Sequence, residues 1–418
     1  VKAWTRPEIP TLPGLSSAPC LYDTASRGLV EAHTGDTARI YVCGITPYDA
    51  THMGHAATYL AYDTLQRVWL DAGLEVHFAQ NVTDIDDPLL ERAAATGVDW
   101  QELAASQVDL FRGDMEALSI LPPEDYVAVT EVLDEIAEAV GRLLVAGIAY
   151  EVPTPESSAG SDIYFDSARA AGLGGWTLGD VSNLDSVAMA TLFRERGGDP
   201  DRAGKRDVLD PLLWRAARDD EPSWPSSVGA GRPGWHIECS VIALMELGRD
   251  FTVQGGGSDL IFPHHEMSAG HAAALSGHPL ARVYSHTGMV AYQGEKMSKS
   301  LGNLVLVSKL VASGVDARAI RLTLLAHHYR SDWEWTDAAL ETAVGRLQLW
   351  GARFRGMSPT GDLSAENILS ELREALRIDL DTPRALAVID QAAEHGVDDP
   401  ALVRRAVHAL LGVELREL

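Results

Sequence analysis

The spacing of apolar positions changes several times along the chain, and each change marks an element. Ala38-Arg39-Ile40-Tyr41-Val42 is a short β-branched and aromatic run that predicts a buried strand. Cys43-Gly44 breaks it, and Thr46-Pro47 keeps the next residues in a loop. Ala57, Leu60, Ala61, Thr64, Leu65 and Val68 then recur at helical spacing, predicting a helix over 55–72. With a strand over 75–82 this makes a β-α-β unit. Helices are expected over 89–118 and 130–146, the second stopped by Gly147.

The periodicity lapses over 151–210, where Pro153, Pro155, Gly160 and Gly172-Leu173-Gly174-Gly175 predict an inserted connective segment outside the main sheet. The core resumes from Leu213. A strand over 251–254 runs into Gly255-Gly256-Gly257, and 284–290 is the last expected core strand. Beyond Leu301 the pattern is helical. Ser364 caps a run with Ile368, Leu369, Leu372 and Leu376 on one face. Thr382-Pro383 and Asp399-Pro400 start two more helices, which Gly396 and Gly412 stop. The expected division is a Pro/Gly/Ser-rich lead-in over 1–35 with at most one strand near Leu21-Tyr22, then a catalytic first half over 36–150. The insertion over 151–210, a second half over 211–303 and a helical domain over 304–418 follow.

Composition narrows the class. With 418 residues, 46% hydrophobic and 22% charged, two or three globular domains are expected. No apolar run reaches the roughly 18 residues a membrane span needs, and the N-terminus lacks a signal-peptide core. Cys20, Cys43 and Cys239 are too few and scattered for a disulfide framework. A cytoplasmic protein without membrane contact is the expectation. The net charge of −26 repels nucleic acid unless a local basic surface overrides it. From Gly356 to Leu418 there are six arginines, no lysine and twelve acids.

The candidate chemistry begins at His52 and His55. They sit where a loop enters a helix, and free N–H groups and the helix dipole favour phosphate there. Gly54 lets a flat ring or a phosphate approach the backbone. Far downstream, Lys296-Met297-Ser298-Lys299-Ser300 places two lysines on a loop that can close over a polyphosphate. Each motif alone also has a plain reading, as capping histidines and as a solvated loop. Asp84, Asp86 and Asp87 are compatible with magnesium, but capping and loop hydrogen bonds are favoured. Cys43, Cys239 and a nearby histidine make a zinc site plausible, while on the cysteines alone two small buried thiols are favoured.

Together the two motifs resemble the signatures of class I aminoacyl-tRNA synthetases. The resemblance implies an α/β, Rossmann-like catalytic domain with an inserted connective segment and a C-terminal helical domain. Gly231-Arg232-Pro233-Gly234-Trp235-His236-Ile237-Glu238-Cys239, Gly255-Gly256-Gly257-Ser258-Asp259-Leu260 and Phe262-Pro263-His264-His265-Glu266 are similar to cysteinyl-tRNA synthetase. That family's zinc set implies one Zn2+ per chain on Cys43, Cys239 and His264. The family's fourth ligand, a glutamate, is replaced by Ser268, and Glu266 is expected to face away. This leaves an open position for a cysteine thiolate.

The chain also stops where cysteinyl-tRNA synthetase continues into an anticodon-reading domain. With Ser268, the acidic tail and Thr-Pro-Tyr-Asp-Ala-Thr-His-Met-Gly-His at 46–55, it is similar to the ATP-dependent cysteine:glucosaminyl-inositol ligases of mycothiol biosynthesis. Those relatives imply a monomer with three small substrates, L-cysteine, ATP (with Mg2+) and glucosaminyl-inositol, and no nucleic acid. Cysteine is activated as an adenylate, and the acceptor amine then displaces AMP. By resemblance, His52, His55, Lys296 and Lys299 stabilise the phosphates. Thr46, Thr83 and Trp235 line the cysteine pocket, Asp259 holds the ribose and Gly54 the adenine. Gly44, Gly257 and Val290 complete the substrate-binding set. Cysteinyl-tRNA synthetase is the alternative, which a basic groove on the helical domain would favour. A sensor or a simple nucleotidyltransferase fits less well, because neither needs both signatures and a thiol-selecting metal.

Overall fold

In the computed structural model the described residues are 1–418 except 34, 49–50, 298–301 and 416–418. The lead-in holds two strands where at most one was expected. β1 (Cys20–Asp23) and β2 (Gly28–Glu31) pair antiparallel around a turn in which Arg27 is left-handed, with φ 56°. β3 (Thr37–Val42), α1 (Met53–Asp71) and β4 (Glu75–Val82) form the expected β-α-β unit. The helix starts earlier than its apolar spacing implies because His52 caps it, Nδ1 accepting from the Gly54 N–H at 3.1 Å.

The single helix expected over 89–118 is two. α2 (Asp87–Thr96) ends on Gly97, left-handed at φ 66°, and α3 (Trp100–Ala117) begins on Asp99. The Asp99 carboxylate accepts from the N–H groups of Gln101 and Glu102 at 2.9 and 3.2 Å. Apolar spacing survives this break, so periodicity reads through it, whereas Gly97 and Asp99 are ordinary stop and start residues. β5 (Asp125–Ala128) precedes α4 (Leu133–Val145), which is shorter than expected because 129–131 turns separately as a 3-10 helix.

β6 (Ala149–Val152), β7 (Asp162–Phe165), β8 (Leu212–Ala216) and β9 (Gly231–Pro233) form an antiparallel sheet of their own in that order. α5 (Ser167–Ala170) and α6 (Ser186–Glu195) lie within the excursion between β7 and β8. The chain rejoins the main sheet through α7 (Trp235–Glu246), β10 (Phe251–Gly257), α8 (Glu266–Ser276) and β11 (Ala281–Thr287). That sheet is parallel, in the order β11-β10-β3-β4-β5. The chain adds β4 and β5 on one side of β3 and later β10 and β11 on the other. The order therefore reverses between β3 and β10, and a crevice opens at their carboxyl ends, where ligands collect.

The last strand expected, 284–290, is divided. β11 stops at Thr287, and Gly288 packs where a Cβ would lie 2.2 Å from the Ser331 carbonyl oxygen. β12 (Val290–Tyr292) then pairs antiparallel with β13 (Glu295–Lys296) and parallel with β14 (Trp333–Glu334). Between β13 and β14 run α9 (Val307–Ala312) and α10 (Ala317–Leu325). α11 (Asp337–Phe354), α12 (Ala365–Arg377), α13 (Thr382–His395) and α14 (Pro400–Leu411) complete the chain, with the expected Ser364, Pro383, Gly396, Pro400 and Gly412 at their ends. A buried charge cluster ties these helices to α1. Asp63 accepts from Arg67 and Arg321, whose guanidinium groups also donate to the Ala409 and Leu411 carbonyls of α14.

Candidate active site

The crevice is built from the ends of β3, β4 and β10. Cys43 follows β3, and its N–H donates to the Gly255 carbonyl at 3.3 Å. Gly44 comes so close to β4 that a Cβ would lie 1.6 Å from the Asn81 carbonyl oxygen, so no other residue fits. The Asn81 side chain organises the junction. Its Oδ1 accepts from the Gly44 N–H at 2.8 Å and the Tyr41 hydroxyl at 3.0 Å, and its Nδ2 donates to Thr83 Oγ1 at 3.0 Å.

A cleft of about 520 Å³ opens above this floor. Of the residues predicted for the site, Cys43, Gly44, Thr46, His52, Gly54, His55, Trp235, Gly257, Asp259 and Val290 line it. Thr83 does not; it is buried beneath, its N–H donating to the Ile45 carbonyl. Lys296 reaches β13 by its backbone, while its side chain and all of Lys299 lie outside the described residues. Met297 is buried in the main core and anchors the start of the lysine loop, a role its apolar character in a basic motif could have signalled. The His52 and His55 rings stack with centroids 3.9 Å apart at the start of α1. A Cβ on Gly54 would sit 2.9 Å from the His52 ring, so the tight packing of that ring requires glycine here.

Cys43, which lines the cleft, converges with Cys239 and His264, their ligand atoms all within 4.8 Å of one another and all three residues buried. His264 Nδ1 is hydrogen-bonded to His236 Nδ1 at 3.0 Å, and its Nε2 is buried without a partner. An outer partner on one ring nitrogen and an orphan on the other is the arrangement of a metal-bound histidine. Burial pushes the Cys43 thiol well up. Cys239 is held well below the usual thiol range: burial opposes this, but the hydrogen bond with Cys43 and the His264 ring outweigh it. Soft sulfur and imidazole donors in a buried triad fit zinc. Glu266 turns away from the triad, as expected, and Ser268 Oγ donates to the His236 carbonyl at 3.2 Å.

Sequence reading missed the histidine chain behind the triad. His265 Nε2 lies 3.2 Å from Cys43 Sγ, its Nδ1 2.8 Å from His286 Nε2, and His286 Nδ1 2.7 Å from Thr24 Oγ1. Burial keeps both rings neutral, pulling His286 down to about 3. Nothing local signals that residues 24, 43, 265 and 286 meet. Two of the three aspartates after β4 make the capping and loop hydrogen bonds expected, and the third forms an ion pair. Asp84 accepts from the Thr130 N–H and hydroxyl, Asp86 caps α2, and Asp87 pairs with Arg232.

Residues 29–345 match the family of tRNA synthetases class I (C) catalytic domain. Curated relatives extend the match over nearly the whole chain. An L-cysteine:1D-myo-inositol 2-amino-2-deoxy-alpha-D-glucopyranoside ligase from Clavibacter michiganensis is 61% identical, covering 99% of this chain and 99% of that protein. Ligases of the same name from Streptomyces avermitilis and Paenarthrobacter aurescens are 57% and 56% identical, covering 99% of this chain and 100% of theirs. Among solved structures, Mycobacterium tuberculosis methionyl-tRNA synthetase in complex with methionyl-adenylate superposes with a TM-score of 0.62 at 18% identity, covering 90% of this chain and 82% of that one. A putative arginyl tRNA synthetase from Campylobacter jejuni gives 0.55 at 14% identity, covering 91% and 93%. The structural likenesses carry the class I fold.

Proposed function

The chain belongs to the L-cysteine:1D-myo-inositol 2-amino-2-deoxy-alpha-D-glucopyranoside ligases, built on the class I tRNA synthetase catalytic domain, and we propose that its cleft activates cysteine on ATP before the acceptor amine takes it. It is an ATP-dependent ligase of mycothiol biosynthesis, joining L-cysteine to the amine of glucosaminyl-inositol. One observation carries the site assignment. Cys43, a member of the buried Cys43–Cys239–His264 triad, lines the same cleft as the His52–His55 helix terminus.

In the first step a cysteine carboxylate oxygen attacks the α-phosphorus of ATP and pyrophosphate leaves. His52 and His55 at the positive end of α1, with Lys296 and Lys299, stabilise charge growing on the phosphates. Asp259, beside the close backbone of Gly257, takes the ribose hydroxyls. Gly44 and Thr46 border the amino-acid end with Trp235, whose ring lies 4.4 Å from His264, tilted by 36°, and forms part of the pocket wall. Cys43, Cys239 and His264 would hold zinc. When bound, it supplies a soft Lewis acid that prefers the substrate's thiolate to serine's hydroxyl. In the second step the acceptor amine attacks the adenylate carbonyl, the C–N bond forms, and AMP departs with the bridging oxygen. The tail's six arginines against twelve acids support an acceptor without phosphates over a polyanion.

The test is cysteine-dependent ATP–pyrophosphate exchange, followed by incubation of labelled cysteine and ATP with glucosaminyl-inositol or with tRNA. Exchange with amide formation and no charged tRNA is expected. Charged tRNA without amide would reinstate the synthetase.

A further inference from the structure

The segment 259–266 carries the ribose carboxylate Asp259 at one end and the metal-ligating His264 near the other, and little regular structure holds it. It runs from a 3-10 turn (Ser258–Leu260) through a π-type turn (Ile261–His265) into α8. The insertion grips it at both ends. α6 lays Met189 and Phe193 against Phe262 and Met267, an apolar cluster separate from the main cores. Arg196 follows as the last residue of that helix's C-terminal turn. Its backbone N–H caps α6 by donating to the Leu192 carbonyl at 3.0 Å, but its side chain leaves the helix. One guanidinium nitrogen, Nη1, donates to the carbonyls of Asp259, at 2.5 Å, and Phe262. A basic side chain at a helix C-terminus ordinarily serves its own carbonyls. This one bridges two carbonyls three residues apart on another element and so sets the turn between them.

At the far end the buried Glu266 carboxylate fastens the same segment to the insertion. Oε1 accepts from Trp176 Nε1 at 2.9 Å and the Gly179 N–H at 3.0 Å. Oε2 accepts from the Val181 and Ser182 N–H groups at 3.2 and 2.7 Å. His264 lies between the two anchors, and Asp259 is itself one of Arg196's acceptors.

We propose that Arg196 is a positioning residue through which the insertion sets the nucleotide carboxylate Asp259 and the metal histidine His264 together, with Glu266 as the second anchor. The inference rests on the roles proposed above for those two residues. Removing the guanidinium loosens one turn that serves both ligands, so nucleotide binding and metal retention fall together although Arg196 touches neither.

The experiment measures KM for ATP, kcat, the rate of zinc loss to a chelator and thermal melting. It compares Arg196→Ala, Arg196→Gln and Arg196→Lys with Asp259→Ala and His264→Ala. Arg196→Ala is expected to raise KM for ATP about tenfold, roughly the loss of one charged hydrogen-bonding group, and to speed zinc loss severalfold. Arg196→Lys, whose ammonium can serve both carbonyls, should restore both toward wild type. Unchanged KM and zinc retention in Arg196→Ala, with both direct variants impaired, overturn the proposal. Unimpaired Asp259→Ala and His264→Ala overturn instead the site reading beneath it. Should Arg196→Ala not fold, Arg196→Gln decides. It keeps part of the side-chain packing but offers the carbonyls a single amide, and an unchanged KM and zinc rate there refute the role.

Discussion

His52 and Leu306 face each other in an isolated antiparallel bridge. The Met53 N–H donates to the Val305 carbonyl at 3.0 Å, and the Val307 N–H to the Thr51 carbonyl at 3.1 Å. The chain leaving the lysine loop is thus fastened by its backbone to the start of α1, where the signature histidines stand. The start of α1 and the segment that follows the lysine motif share a backbone seam through Val305, Leu306 and Val307.

Cutting that seam should slow adenylation. Val307 is the first residue of α9, a position where proline suits a helix, so Val307→Pro deletes the N–H without breaking the helix. A net loss of about 1 kcal/mol predicts a several-fold fall in kcat for pyrophosphate exchange beyond that of Val307→Ala, which controls for the buried side chain. Equal rates in the two variants would show that the seam has no part in turnover.

Lys296→Ala and Lys299→Ala should each lower the adenylation rate by about 10²–10³ while leaving cysteine binding nearly unchanged, because their charge is used mainly as phosphate charge develops. The check is single-turnover kinetics alongside cysteine titration. A raised cysteine KM at unchanged turnover would contradict the role.

The metal prediction has a readout independent of turnover. Purified protein should carry about one zinc per chain, and Cys43→Ala and Cys239→Ala should lose it. His236→Ala, which removes the outer partner of His264, should weaken metal affinity about 10–100-fold. In cobalt-substituted protein, L-cysteine should intensify the sulfur-to-metal absorption and L-serine should not. A spectrum insensitive to cysteine would rule out direct thiol binding.

Asp114 on α3 predicts a pH dependence of stability. Burial pushes its carboxyl up to about 7, and its Oδ2 is buried without a hydrogen-bond partner among the described residues. The folded state therefore keeps a proton that the unfolded chain gives up near 3.8. That stability is complete below the unfolded value and is lost as pH rises through about 7. Asp114→Asn, which mimics the protonated form, should be near neutral at pH 4 and stabilising by roughly 1–3 kcal/mol at pH 8. Melting curves across that range decide it; a pH-independent difference would mean that Asp114 does not titrate there.

Much of the fold is written in local signals. Strand β4 spans the 75–82 stretch expected of it, and the tail helices start and stop on Ser364, Pro383, Gly396, Pro400 and Gly412. Capping and apolar spacing are short-range free energies, readable within a few residues of the position they govern. The same locality explains the misread helix over 89–118, where a continuing apolar period concealed the Gly97 stop and the Asp99 start.

The candidate triad, the signature histidines and Asp259 were legible because each lies in a motif whose resemblance carries a role. Only the tertiary structure brought Cys43 beside His265, His286 beside Thr24, and Arg196 against the Asp259 and Phe262 carbonyls. Those pairings span 63 to 262 residues. A side chain's distant partner depends on which surfaces the packed sheets and helices bring together. In the sequence Arg196 is one more arginine in a stretch whose periodicity lapses.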